Sequence, residues 1–326
     1  MAGIRRSYWQ GWMTLAWLGM TLSCEAPRHN PLDPKNPDGP FASIAGSVQT
    51  LSLPHRSIHG VYVRWSPEGK MVLSDAKGVF LLDHLLPQDG YLCFSSPDYR
   101  SDSVKITWQD AKHQSLQMYL NHLPQMEQAA FFSSVLHRYP NLQSYTMTIQ
   151  TWIQDPDMDI DSVWVEGKTS PLRGRLSYDV TEKSFSKTFS SLELAQISLA
   201  GLVGQELTVH LADVFGYYHL VGVITLKRLV LEEVAYVQPS SYAITSSRPR
   251  LQWKKLQPGF PFSYLLEVYT DEMVATRIWR KADISSDAVE WTVDQELGSG
   301  DYFWVIWCVD EFGNRSRSKP ASFTVP

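Results

Sequence analysis

Beyond Pro40 the chain alternates apolar and polar residues with a period of two almost throughout. Short runs rich in β-branched and aromatic side chains are broken by clusters of Gly, Pro, Asp and Ser. Period two sends successive side chains to opposite faces of an extended strand, and closely spaced turn clusters mark an all-β chain. Strands are expected at residues 44–48, 60–63, 92–94 and 116–120, then at 146–153, 162–165, 207–213 and 220–226, and finally at 251–253, 264–268 and 302–308. No long stretch holds a helical period; only residues 191–200 suggest a short helical turn.

The first forty residues depart from this pattern. Arg5 and Arg6 precede an apolar stretch at residues 13–22, and Ser23-Cys24 follow it. Ten helical residues rise only ~15 Å, about half a bilayer core, so the stretch reads as an export signal and not as a membrane span. Ser23-Cys24 resembles the lipobox of bacterial lipoproteins, with Thr21 standing where that family favours Leu. The resemblance implies a signal peptide over residues 1–23, acylation of the Cys24 thiol and membrane lipid as a partner. Glu25, where Asp would imply inner-membrane retention, points to the outer membrane. A plain secretory signal, giving a secreted or periplasmic chain, is the alternative reading of the same residues. Pro27, Pro31, Pro34, Pro37 and Pro40 then space residues 24–40. Each fixes φ and removes a donor, so this segment reads as an extended tether with a reach of roughly 50 Å.

Three β-sandwich domains in tandem are expected after the tether, at residues 41–122, 123–230 and 231–326. In the first, Gly46, Val48, Gly60, Val61, Val63, Asp75, Gly78, Phe80, Gly90 and Tyr91 carry a resemblance to the carboxypeptidase regulatory-like domain, a small transthyretin-like sandwich without catalytic function. The second resembles a bacterial Ig-like sandwich. In the third, Leu251-Gln252-Trp253, the alternation of Tyr264, Leu266 and Val268, and Leu297-Gly298-Ser299-Gly300-Asp301-Tyr302 resemble strand B, strand C and the tyrosine corner of a fibronectin type III domain. Asp213-Val214-Phe215-Gly216 and Asp310-Glu311-Phe312-Gly313 repeat one turn after a late strand in each of the last two segments.

Composition supports a packed chain: 326 residues, 44% hydrophobic, 19% charged, with a net charge of −5. Arg5 and Arg6 are the only charged side chains before Cys24, so the chain beyond is more acidic still. Basic clusters such as Arg173-Gly174-Arg175 are too short to neutralise a phosphate backbone on an acidic chain, so nucleic acid is not expected as a partner. The three cysteines are Cys24, Cys93 and Cys308; the last two sit in apolar runs and read as buried thiols.

No catalytic constellation is legible. HExxH and G-x-S-x-G are missing, and His55 and His59 have no third ligand nearby in sequence. The most chemical stretch is Asp155, Asp157, Asp159 and Asp161 with Glu166 beyond, which copies the ligand spacing of an EF-hand calcium loop but places Ile160 where that loop needs Gly. Calcium bound between strands and a solvated Asp-rich turn both remain open. Phe303, Val305, Trp307 and Val309 lie on the strand face opposite the expected core of the third domain, so both faces of that strand are apolar. Either another domain covers them, or a partner or glycan does, with stacking on Trp307. The expected function is therefore a non-catalytic envelope lipoprotein presenting sandwich modules to a protein or glycan partner. Carbohydrate capture is the main rival, and an envelope hydrolase the third class.

Overall fold

A computed structural model describes residues 39–109 and 111–326; the expected export signal, Cys24 and most of the expected tether lie outside the described residues. The described residues are all-β and built from sandwiches, in two compact units, one ending at Asn121 and the other running over His122–Pro326.

The first unit holds β1 (Ala42–Thr50), β2 (Tyr62–Trp65), β3 (Met71–Leu73), β4 (Val79–Leu85), β5 (Gly90–Ser96), β6 (Tyr99–Ile106) and β7 (His113–Leu120). One sheet has the order β4-β1-β7 and the other β3-β2-β5-β6. Alternation does the sorting: Ile44, Val48, Val63, Trp65, Phe80, Leu82, Leu92, Phe94 and Leu120 turn inward and form one buried cluster. Gly46 is there because of contact. A Cβ on it would fall 2.2 Å from the Leu116 carbonyl oxygen and 2.8 Å from the Phe80 ring. The alternation also moves Cys93. Leu92 and Phe94 take the inward positions, so the Cys93 thiol, expected in the core, lies half-buried on the outer face.

The second unit opens with β8 (Gln125–Arg138), β9 (Leu142–Gln154), β10 (Ile160–Gly167), β11 (Arg173–Asp179) and β12 (Ser184–Phe189). Two single-turn helices follow, α1 (Ser191–Leu194) and α2 (Leu199–Leu202), at the expected helical stretch. Ser190 and Glu193 close α1 with a capping box. Next come β13 (Glu206–Asp213), β14 (Tyr218–Thr225), β15 (Tyr236–Gln238), β16 (Ala243–Ile244), β17 (Arg250–Trp253), β18 (Phe262–Thr270), β19 (Arg277–Ser285), β20 (Glu290–Thr292), β21 (Gly300–Asp310), β22 (Arg315–Arg317) and β23 (Ala321–Val325).

Two hydrophobic cores occupy this unit. One gathers Met147, Ile149, Val163, Val165, Phe189, Leu207 and Val209 between the strands from β8 to β14. The other gathers Trp253, Tyr264, Leu266, Val268, Trp304, Ile306, Cys308 and Phe323 between β15-β17-β20 and the sheet containing β19-β18-β21. This second sandwich is fibronectin type III-like. The Tyr302 hydroxyl donates to the Gly298 carbonyl at 2.9 Å, closing the tyrosine corner. Cys308 is fully buried, and burial pushes its thiol up to about 12.

The two cores share one sheet. β22 pairs with β21 on one side and runs parallel to β8 on the other, so hydrogen bonding is continuous from β14 to β19. Asn314, fully buried, locks the seam. Its side-chain oxygen accepts from the Ser133 backbone N–H at 2.9 Å and hydroxyl at 3.1 Å, and its amide donates to Asp310 Oδ2 at 3.0 Å. Arg228 adds an ion pair to the same carboxylate at 3.0 Å and lies over the Phe260 ring. Asn314→Ala strands buried donors and acceptors on both sides of the seam. It is expected to cost about 2–3 kcal/mol in urea denaturation of the second unit, and an unchanged midpoint would refute this role.

Candidate functional site

Two sequence-selected places can be followed into the structure. The first is the outer face of β21. Trp307 is only 8% exposed, and Val305 and Leu265 are buried beside it. Two cations lie close to the ring: the Arg315 and Arg317 guanidiniums are 4.9 and 5.8 Å from its centroid. Its indole N–H donates to Glu267 Oε2 at 2.8 Å. Glu267, itself buried, also accepts from the Tyr269 hydroxyl and from Arg277 Nη1, each at 2.9 Å. Burial draws the Arg315 and Arg317 pKa values down, with Glu267 partly opposing the shift. Phe303 stacks on Tyr269 at 5.2 Å with an interplanar angle of 6°. Leu136 of β8 packs onto the same cluster. The second apolar face is thus occupied from within the unit, and Trp307 presents no open ring face for a sugar.

The second place is the acidic stretch. β10 begins at Ile160, so Glu166 lies on a strand opposite Arg173 and Thr208. At ~3.3 Å per residue an extended strand carries Glu166 roughly 20 Å from the turn, and the EF-hand arrangement is not formed. Asp161 is exposed at the start of that strand. Among the described residues, no group of three or more acidic, His or Cys side chains is placed to hold a metal ion. His55 is engaged separately, with Nδ1 at 2.8 Å from the Thr50 carbonyl.

Asp155, Asp157 and Asp159 shape a turn instead. The Asp155 carboxylate accepts from the backbone N–H of Asp157 at 3.2 Å and of Asp159 at 3.0 Å, and its carbonyl accepts from Met158. Asp157 in turn accepts from the His122 backbone N–H at 2.9 Å. The same pattern recurs three times. Asp75 accepts from the N–H groups of Lys77 and Val79, Asp213 from Phe215 and Tyr217, and Asp310 from Phe312 and Asn314. In each copy an Asx turn leads into a left-handed residue: Gly78, Gly216 and Gly313, but Met158 in the acidic copy. The Asp-rich stretch is a fourth member of this turn family, with a methionine where glycine belongs.

Crowding gives that turn its chemistry. Burial, then the negative charge of Asp155, push the Asp159 carboxyl up to about 7, with further contributions from Asp213 and Asp157. Beside the turn, Asp155, Met158, Asp161, Arg175, Tyr178 and Phe185 help line a cavity of about 630 Å³. Arg175 donates to the Asp161 carbonyl at 3.3 Å. The lipidation candidate, Cys24, lies outside the described residues.

Comparison with known proteins gives structures only. No known family matches the sequence, and no curated protein does. The major pilin subunit BcpA of Bacillus cereus is 8% identical, with 88% of this chain and 98% of that one covered and a TM-score of 0.26. The chicken CNTN1 FN1-FN3 domains are 9% identical over 83% of this chain and 92% of that one, with a TM-score of 0.32. Fibronectin(III)-like modules of Clostridium thermocellum CbhA are 12% identical over 62% and 93%, with a TM-score of 0.29. No functional assignment follows from likenesses this distant.

Two outcomes are expected. Met158 is 88% exposed at a φ of +54°, so Met158→Gly relieves left-handed strain and sacrifices no packing. It should stabilise the second unit by about 0.5–1 kcal/mol in chemical denaturation; a loss of stability would contradict the turn assignment. For Asp159 the folded pKa, about 7, exceeds the ordinary value of 3.8. Its contribution is therefore complete below pH 3.8 and is lost as pH rises through about 7. Melting curves of wild type and Asp159→Asn should diverge across that window, the variant gaining on the wild type as pH rises. Parallel curves would show that Asp159 titrates normally.

Proposed function

We propose that this chain is a non-catalytic module of the bacterial cell envelope, held to membrane lipid through an acylated Cys24 and carrying its β-sandwiches on the proline-spaced tether. The observation that carries this reading is the sheet continuous from β8 through β22 to β21. Two sandwiches locked along one hydrogen-bonded seam make a stiff arm, and the aromatic face most suited to chemistry or capture is used in making it. Among the described residues, neither the Glu267 cluster nor the Asp155 turn sets a nucleophile beside a general base, the arrangement that covalent catalysis requires. The arm suits presentation, adhesion or assembly at the surface.

The anchor and the non-catalytic role are separable by experiment. Cys24→Ser should abolish fatty-acid labelling of the expressed chain, and labelling that persists would disprove the anchor. Incubation of the purified protein with pools of polysaccharides and of peptides should give no product. Turnover of any member would replace this reading with the hydrolase alternative.

A further inference from the structure

The first unit carries a groove that the sequence did not advertise. It lies on the outer face of β3-β2-β5-β6, the side away from Val63, Trp65, Leu92 and Phe94. Register places Met71, Arg64, Cys93 and Ser103 in one row across the four strands, and Leu73, Tyr62 and Ser95 in the next. Small side chains occupy the middle of the sheet and larger ones, Tyr62, Arg64 and Met71, the side toward β3. The hollow has a volume of about 650 Å³, within the ~300–1,000 Å³ of small-ligand sites.

The polar groups in this hollow are uncommitted. Arg64 is exposed and has no ion-pair or hydrogen-bond partner among the described residues. The hydroxyls of Tyr62, Ser95, Ser101 and Ser103 are likewise without side-chain partners among them. Asp102, the one acid on the rim, is occupied at Oδ1 by the Ser103 backbone N–H at 2.7 Å. The Tyr62 side chain is 44% exposed, leaving an apolar ring surface beside the guanidinium.

We infer that this groove binds an acidic oligosaccharide, a sugar chain carrying carboxylates. Four roles are on hand. Arg64 pairs with a carboxylate in the forked geometry that guanidinium favours. The serine hydroxyls donate to and accept from sugar hydroxyls. Tyr62 packs on the apolar side of a ring. Four strands at ~4.8 Å spacing span about 14 Å, room for about two or three sugar rings. A peptide is disfavoured by the same geometry. Peptides add to sheets through free main-chain groups at an edge, whereas the inner strands of this face have theirs committed to the ladder. The inference rests on the non-catalytic binding reading and names the ligand and the place.

Cys93 supplies a built-in reporter. Its thiol sits half-buried in the groove next to Arg64, whereas Cys308 is fully buried. In the full chain carrying Cys24→Ser, Cys93 is then the thiol that reacts with Ellman's reagent. Oligogalacturonate at four times its Kd should slow that reaction about five-fold by mass action. Its fully methyl-esterified form, with the same rings and no charge, should not. Arg64→Gln should remove the protection, as should Ser103→Trp, which fills the groove from its exposed side and leaves the core untouched; both should keep the wild-type melting temperature. An unchanged Cys93 rate, protection that survives Arg64→Gln, or equal protection by oligoglutamate would each overturn the proposal. Such a failure would leave the non-catalytic reading standing, because that reading fails only on turnover.

Discussion

The second unit depends on what happens at Asn314. A short strand of three residues, β22, stands between β21 and β8 and pairs with both. A strand that short has little cohesion of its own, so the seam needs a buried anchor. Asn314 supplies one by using its amide in both directions, accepting from Ser133 and donating to Asp310. Asp310 is in turn saturated by backbone N–H groups and by Arg228. A fully satisfied buried network rigidifies what it joins, and a partly satisfied one would destabilise it. Alternate rungs of β22 then project Arg315 and Arg317 over Trp307. The cation–π stack and the Asn314 network are thus consequences of one pairing, which makes a single sheet of two sandwich faces.

The Asp-led turn is the other device, and it explains an apparent chemical motif. A carboxylate that accepts from the N–H groups two and four residues ahead fixes a tight reversal with no long-range contact. The chain uses it at Asp75, Asp155, Asp213 and Asp310. At three of these the left-handed position is Gly, and no run of alternating acids follows the leading Asp. At the fourth, extra acids surround the first one. Their mutual repulsion appears as a carboxyl at Asp159 that holds its proton towards neutral pH. Regular spacing of acids, which suggests a metal loop in sequence, therefore results from stacking turn-forming residues at alternate positions.

Much of the fold was legible because alternation is a local signal. The inward positions of β18 and β21, the tyrosine corner at Tyr302 and the helical turn near Ser191 all follow from neighbours in sequence. What failed to show depended on partners far away in the chain. β11 and β12 carry many polar residues and are held by cross-strand pairing to β10 and β9. The parallel contact between β8 and β22 joins residues some 180 positions apart, as the Ser133–Asn314 bond does at 181. No periodicity encodes that. The apolar outer face at Trp307 is visible in the sequence, whereas its neighbours Arg315, Arg317 and Leu136 are not, and only the last is a hydrophobe. Cys93 sits in an apolar run, but strand geometry assigns the members of such a run to opposite faces one by one, and its own face is the outer one.

The contrast between two outer sheet faces finally indicates where a ligand belongs. On β21 the outward residues are Phe303, Val305, Trp307 and Val309, large and apolar, and such a face gains most by being covered. The unit covers it with its own residues, and Trp307 retains 8% of its exposure. On β5 the outward residues near the middle are Cys93 and Ser95, small and partly polar, flanked by Tyr62 and Arg64 on β2. Such a face gains little from intramolecular packing, and its small centre leaves a hollow that no side chain among the described residues fills. Hydrophobic drive closes the first surface during folding and leaves the second, among the described residues, open with unpaired donors. An open, donor-lined hollow discriminates by hydrogen bonding and charge, so the ligand it selects must bring acceptors and a negative group, which an apolar segment of protein does not.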